Sequence, residues 1–129
     1  MTVRTKITGD KGEDYAVAYL KKQHCKILDR NYRKPFGEID IVARKKQLIL
    51  FVEVKTRHGN PFTRPYEAVD HRKQQRILRT ALAYIREHHI DLDCRCDVCE
   101  VYVDRQSLKL LKLDYYENAF EPEGDLGAF

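Results

Sequence analysis

The chain has 129 residues, of which 43% are hydrophobic and 34% charged, and a formal net charge of +4. That length suits one compact domain with its own core, and the composition excludes collagen-like, low-complexity and wholly disordered classes. No apolar run reaches the roughly 18–20 residues of a membrane span, and the opening segment lacks the apolar stretch of a signal peptide. We therefore expect a cytoplasmic protein without membrane contact, with a single domain over residues 1–120 and a flexible acidic tail over residues 121–129.

The first predicted element is a helix over about residues 11–24. Asp10 and Glu13 have the spacing of a capping box, in which Glu13 bonds back to the helix start. Glu13 also continues the apolar face formed by Ala16, Val17 and Leu20, which would direct it toward a sheet. Both interpretations of Glu13 stay open at this point.

Three strand-like segments follow the helix. A short run over residues 26–31 leads to a turn at Lys34-Pro35, and residues 36–43 (FGEIDIVA) are β-branched and partly alternating. A polar hairpin turn over residues 44–47 precedes residues 48–55 (LILFVEVK). Because this segment opens with five apolar residues, we expect it to lie in the middle of the sheet.

An irregular loop over residues 57–66 separates the third strand from a long helix. Pro65 suits the first turn of this helix, which we expect to end near His89. Two further strands, over residues 94–103 and 108–113, flank a turn at residues 104–107. The predicted fold is α/β, a mixed sheet flanked by helices in the order αβββαββ.

Glu53 and Lys55 interrupt the most apolar strand and lie on one face of it, since side chains alternate along a strand. Asp40 is one hairpin turn away, so antiparallel pairing would bring it beside Glu53. Two adjacent carboxylates repel each other unless a cation lies between them, and Mg²⁺ prefers such oxygen ligands. We therefore predict a Mg²⁺ or Mn²⁺ site at Asp40 and Glu53. The alternative is a structural Glu53–Lys55 ion pair.

Lys55 would stand beside this metal as a fixed positive charge, placed to stabilise the charge that develops during phosphodiester hydrolysis. Glu13 is a possible third carboxylate. The C-x-C-x-x-C pattern at Cys94, Cys96 and Cys99 favours buried strand thiols over zinc, because no fourth ligand stands at a suitable spacing.

The segments GEDYAVAYL, ILDRNYR, GEIDIVA, FVEVKTR and EAVDHRKQQRI, with a late NAF, resemble the bacterial YraN-like family, which is similar to archaeal Holliday junction resolvases. The resemblance implies a restriction-endonuclease-like core with the PD-(D/E)xK motif, although Ile39 replaces the motif's proline. It implies a metal-dependent DNA endonuclease acting on branched or distorted DNA. Asp40 and Glu53 would be the metal ligands, Lys55 a base or electrostatic stabiliser, and Glu13 an assisting carboxylate.

Basic residues after the motif are candidate contacts to DNA phosphates. They are Arg57, Arg64, Arg72, Lys73 and Arg76. Five of the 20 acidic residues lie beyond Leu113, which leaves a basic body that suits a polyanionic partner. The alternative function is a nucleic-acid-binding module without turnover. A homodimer is possible through residues 108–113, an apolar strand at a possible sheet edge.

Overall fold

The computed structural model describes residues 2–60, 62 and 67–122. The helices and strands are α1 (Val3–Lys22), β1 (Lys26–Lys34), β2 (Gly37–Lys45), β3 (Leu48–His58), α2 (His71–Glu87), β4 (Asp93–Val103) and β5 (Leu110–Phe120). This confirms the predicted α/β order αβββαββ, which is consistent with a restriction-endonuclease-like core.

The five strands form one mixed sheet in the order β1-β2-β3-β4-β5. β3 and β4 are parallel and the other neighbours antiparallel. Parallel neighbours need a crossover, and α2 supplies it. β3 is the central strand, as its apolar run predicted. One apolar cluster joins α1 to the sheet through Ala16 and Leu20, and another joins α2 to the opposite face through Ile77 and Leu78.

Helix α1 begins at Val3, eight residues before the predicted start. Thr2 is its N-cap, and the Thr2 side chain accepts a hydrogen bond from the backbone N–H of Thr5 at 3.1 Å. Asp10 lies inside the helix, so the capping box of Asp10 and Glu13 is wrong. The prediction missed the first turns because they carry only two apolar residues, Val3 and Ile7, which are too few to indicate a helical face.

Helix α2 begins at His71, later than predicted. Asp70 is its N-cap and accepts a hydrogen bond from the backbone N–H of Lys73 at 2.9 Å. Residues 67–70 have no regular structure. Pro65, predicted for the first turn, lies outside the described residues. Asp70 suits the helix start because its side chain satisfies an otherwise unpaired backbone donor.

Strand β5 is longer than predicted and lies at the edge of the sheet. Leu110 and Leu111 are 43% and 48% exposed on it. Dimerisation through this edge stays a prediction. Of the predicted acidic tail, Glu121 and Pro122 have no regular structure and the rest lies outside the described residues. Within residues 2–60, 62 and 67–122, no helix is long and apolar enough to cross a membrane.

Candidate active site

The candidate site lies where β2 and β3 part. Their antiparallel pairing runs from Lys45 opposite Leu48 to Ile41 opposite Val52. Asp40 and Glu53 are the next residue on each strand. Beyond that point the backbone N–H of Val54 donates to Asp40 Oδ2 at 2.8 Å. The side chain of Asp40 thus accepts the hydrogen bond that a backbone carbonyl of β2 would accept in a continuous ladder. The predicted neighbourhood of the two acidic residues is therefore built by the strands themselves.

The alternation of side chains along β2 breaks at Asp40. Ile39 packs in the cluster beneath α2, whereas Ile41, two residues later, packs in the cluster beneath α1. On the adjacent strand, Asn31 has a left-handed backbone with φ of 54° and stands between the paired residues Arg30 and Tyr32. Asparagine tolerates that conformation better than most residues. The break turns Asp40 toward the boundary between the two faces of the sheet.

Two clefts meet at this boundary and share Glu38 and Asp40. The α1 cleft is lined by residues that include Gly9, Glu13, Asn31, Thr56 and His58, and has a volume of about 450 Å³. The α2 cleft is lined by Gly37, Glu53, Asp70, Arg72, Lys73, Arg76 and Ile77, with the same volume of about 450 Å³. Glu13 and Glu53 thus approach Asp40 from opposite faces of the sheet.

Asp40 carries an unusual pKa for a carboxyl group. Burial, and after it the charge of Glu53, raise the pKa of Asp40 to about 8. The hydrogen bond from Val54 opposes this shift, and the charges of Glu13 and Glu38 contribute to it. A raised carboxyl pKa means that the surroundings, here burial and a neighbouring carboxylate, disfavour the charged form. The surroundings of Asp40 therefore favour either a proton or another cation.

Glu13 is buried on α1 and held by two donors from β1. Arg30 Nε and Asn31 Nδ2 both donate to Glu13 Oε1 at 2.9 Å. Helix α1 lies close to the sheet here, because a Cβ on Gly12 would come within 1.9 Å of Thr56 Oγ1. Arg30 and Asn31 belong to a segment that carried the family resemblance, yet no role was assigned to them. The feature of the sequence that could have identified Arg30 and Asn31 is a pair of adjacent polar residues inside a strand.

Glu53 pairs with Lys73 across the α2 cleft. Lys73 Nζ lies 2.7 Å from Glu53 Oε1, and the Glu53 side chain is 8% exposed. The ion pair of Glu53 is therefore with a lysine on α2. The Glu53–Lys55 ion pair that was considered from the sequence does not form. Strand alternation placed Glu53 and Lys55 on one face correctly, but their side chains contact different partners.

Lys55 points its ammonium toward the segment before α2, where it donates to the carbonyl oxygen of Glu67. Burial lowers the pKa of Lys55, and the positive charge of Arg57 lowers it further, while Glu100 acts in the opposite sense. Glu100 stands opposite Lys55 in the parallel pairing of β3 and β4. Lys55 is thus a half-buried cation, two residues after Glu53 on β3 and bound to the segment before α2.

Glu100 is a buried carboxylate that the sequence analysis missed. Arg57 Nε lies 3.6 Å from Glu100 Oε2, and Arg57 Nη2 lies 3.4 Å from Glu67 Oε2. Arg57, predicted to contact DNA phosphates, is therefore shared between two carboxylates. The available signal was a charged residue inside the apolar second half of β4 (VCEVYV), the same kind of signal that identified Glu53.

The predicted basic residues divide into three groups. Arg72 and Arg76 are exposed and line the α2 cleft with Lys73. Arg57 is tied to carboxylates on the neighbouring elements. Arg64 lies outside the described residues. The cleft beside Glu53 is consequently lined by three of the five predicted basic side chains.

The donor set at Asp40 and Glu53 fits a hard divalent cation. Both are carboxylates, and burial together with the charge of Glu53 raises the pKa of Asp40. Among the described residues no group of three or more His, Cys, Asp or Glu is arranged to hold a metal ion. Water and substrate oxygens would therefore complete the coordination, as is usual for Mg²⁺. Cys96 and Cys99 are buried in clusters on opposite faces of the sheet, so they do not converge on a zinc ion.

Comparison with known proteins identifies the family. The model of the uncharacterised protein family UPF0102 matches residues 12–101. A UPF0102 protein of Syntrophotalea carbinolica is 45% identical over 125 residues, which cover 96% of this chain and 99% of that protein. One from Caldanaerobacter subterraneus subsp. tengcongensis is 43% identical over 119 residues, covering 92% and 98%. One from Geobacter metallireducens is 40% identical over 122 residues, covering 94% and 98%. The chain therefore belongs to the UPF0102 family, the YraN-like family that its motifs resemble.

Proposed function

We propose that this protein is a divalent-metal-dependent DNA endonuclease. The observation that carries the proposal is the pair of carboxylates, Asp40 and Glu53, at the parting of β2 and β3, with a lysine two residues further along β3. A Mg²⁺ or Mn²⁺ ion held by Asp40 and Glu53 would supply Lewis-acid activation of a phosphodiester. The resemblance to junction resolvases supports branched or distorted DNA as the substrate.

The protein's own side chains have distinct tasks in this proposal. The backbone N–H of Val54 fixes the orientation of the Asp40 carboxylate. Lys55, anchored on the Glu67 carbonyl, places a positive charge where negative charge develops on the phosphate in the transition state. Glu13, oriented by Arg30, adds a carboxylate on the α1 side of Asp40.

A nucleic-acid-binding module without turnover is the second candidate. The Lys73–Glu53 ion pair favours it, since a lysine ammonium already neutralises one proposed metal ligand. The two candidates differ in metal binding, because a pure binding module requires no cation at Asp40 and Glu53. A direct titration therefore separates them.

The first prediction is that the wild-type protein binds Mn²⁺ and that Asp40→Asn does not. Neutralising Asp40 removes a ligand and much of the negative potential that attracts the cation. Isothermal titration calorimetry of Mn²⁺ measures the binding, and the Mn²⁺-induced increase in Tm provides a second readout, since a ligand of the folded state stabilises it.

Glu38→Gln is the matched control for this experiment. Glu38 lines both clefts but pairs with Arg33 at the surface, 3.3 Å away. This variant is expected to bind Mn²⁺ nearly as well as the wild type. Undiminished Mn²⁺ binding in Asp40→Asn, or in Glu53→Gln, would show that the metal site is assigned incorrectly.

The second prediction concerns the phosphate contacts. Arg72→Ala and Arg76→Ala are each expected to weaken DNA binding. Each should also make the slope of log K against log salt shallower by about one unit, because a complex with one phosphate contact fewer releases fewer counterions when it forms. Fluorescence anisotropy with a labelled duplex at several salt concentrations measures the slope. Arg86→Ala, an exposed arginine in the last turn of α2, should leave it unchanged. Equal slopes in all four proteins would remove the α2 cleft from the DNA interface.

A further inference from the structure

The ion pair between Lys73 and Glu53 has an asymmetric environment. The Lys73 side chain is 52% exposed, whereas the Glu53 side chain is 8% exposed. The carboxylate is fixed in the floor of the α2 cleft, and the ammonium lies over it from the solvent side. The lysine can therefore leave the contact by side-chain rotation alone, while the glutamate cannot.

The backbone of Lys73 is held in place during such a rotation. Its N–H donates to Asp70 Oδ1 in the N-cap of α2. Arg72 and Arg76 line the same cleft, so a phosphate that enters would meet three cations from one helix. An anion beside Lys73 offers its ammonium an alternative partner to Glu53.

We propose that a DNA phosphate displaces the Lys73 ammonium from the Glu53 carboxylate and so makes Glu53 available to a divalent cation. Without DNA the ammonium of Lys73 neutralises Glu53 and competes with a divalent cation for it. A DNA phosphate draws Lys73 away, which exposes the negative charge of Glu53 beside Asp40. The proposal rests on the proposed function, and it couples substrate binding to metal binding through one side chain.

This coupling has a definite sign. If DNA releases Glu53 for the cation, then DNA strengthens cation binding and the cation strengthens DNA binding by the same factor. The protein without DNA should accordingly hold its metal weakly. Removing the ammonium of Lys73 should strengthen metal binding without DNA and reduce the coupling.

The test is calorimetric titration of Mn²⁺ into the protein without DNA. Lys73→Gln is expected to bind Mn²⁺ at least about tenfold more tightly than the wild type, because it removes a charge in contact with the ligand. Arg72→Gln and Arg76→Gln remove charges from the same cleft that form no salt bridge with Glu53, and should change the affinity less than about threefold. Lys73→Arg keeps the charge and should bind as the wild type does.

The coupling itself is measured in a Lys55→Ala background, which is expected to leave the DNA uncut. A short duplex should tighten Mn²⁺ binding there, and adding Lys73→Gln should abolish most of that effect. Equal Mn²⁺ affinity in the wild type and Lys73→Gln, or equal gains in Lys73→Gln, Arg72→Gln and Arg76→Gln, would overturn the displacement of Lys73 while leaving the metal site intact. Absence of Mn²⁺ binding in the wild type and in Lys73→Gln alike would overturn the proposed function as well.

Discussion

Replacing Lys55 by alanine is expected to lower the rate of DNA cleavage by at least about 10²–10³-fold, the loss typical when a preorganised transition-state donor is removed. The affinity for DNA should change less than about threefold. The reason is that the Lys55 ammonium is already bound to the Glu67 carbonyl, while Arg72 and Arg76 are exposed cations that line the α2 cleft. An interaction that operates mainly in the transition state changes the rate far more than the binding.

Single-turnover cleavage with Mn²⁺ on duplex, nicked, flap and four-way-junction DNA measures the rate, and anisotropy measures the affinity. Lys109→Ala, in the turn between β4 and β5, removes an exposed lysine and should retain the wild-type rate. Parallel losses of rate and affinity in Lys55→Ala would instead assign Lys55 to phosphate binding. Wild-type activity in Lys55→Ala would exclude it from catalysis.

The sequence predicted the parts of the fold that depend on periodicity. The apolar run over residues 48–55 identified the central strand because a strand buried on both faces lacks alternation. The start of α1 was missed because its first turns carry only Val3 and Ile7 as apolar residues, and two residues do not distinguish a helix from a loop. The helix start depends on Thr2, whose hydroxyl accepts the backbone N–H of Thr5 and whose carbonyl accepts the backbone N–H of Lys6.

The candidate site was predictable where it depends on sheet geometry. Hairpin pairing brought Asp40 next to Glu53, and alternation placed Glu53 and Lys55 on one face. The partners of these residues were not predictable, since Lys73 and Glu67 reach them from a different element by tertiary packing. The left-handed conformation of Asn31 and the resulting position of Asp40 between two clefts also depend on contacts that no local pattern encodes.

The Asp40 carboxylate should lower the stability of the folded protein when no cation compensates its charge. The pKa of Asp40 is raised from its ordinary value of 3.8 to about 8 in the folded protein. Between these values the folded state binds more protons than the unfolded state, so the free energy of unfolding falls as pH rises through this window. At pH 8 much of the penalty is present, and at pH 5 protonation of Asp40 relieves most of it.

Asp40→Asn is therefore expected to be more stable than the wild type at pH 8 in the presence of a chelator. An asparagine side chain still accepts the N–H of Val54 and carries no charge toward Glu53. Each unit of the raised pKa corresponds to about 1.4 kcal/mol, so a fraction of the shift gives a gain above about 1 kcal/mol. Urea unfolding at pH 5 and pH 8 measures this gain, which should be much smaller at pH 5.

Glu38→Gln serves again as the control, because its exposed ion pair with Arg33 should contribute less than about 1 kcal/mol at either pH. A lower stability of Asp40→Asn than of the wild type at pH 8 would mean that the Asp40 carboxylate is already compensated, and no cation would then be needed there. The opposite result, together with loss of Mn²⁺ binding in the same variant, would identify Asp40 as a residue that reduces stability and binds the metal. That combination is typical of a functional site, where side chains suited to a ligand are strained in its absence.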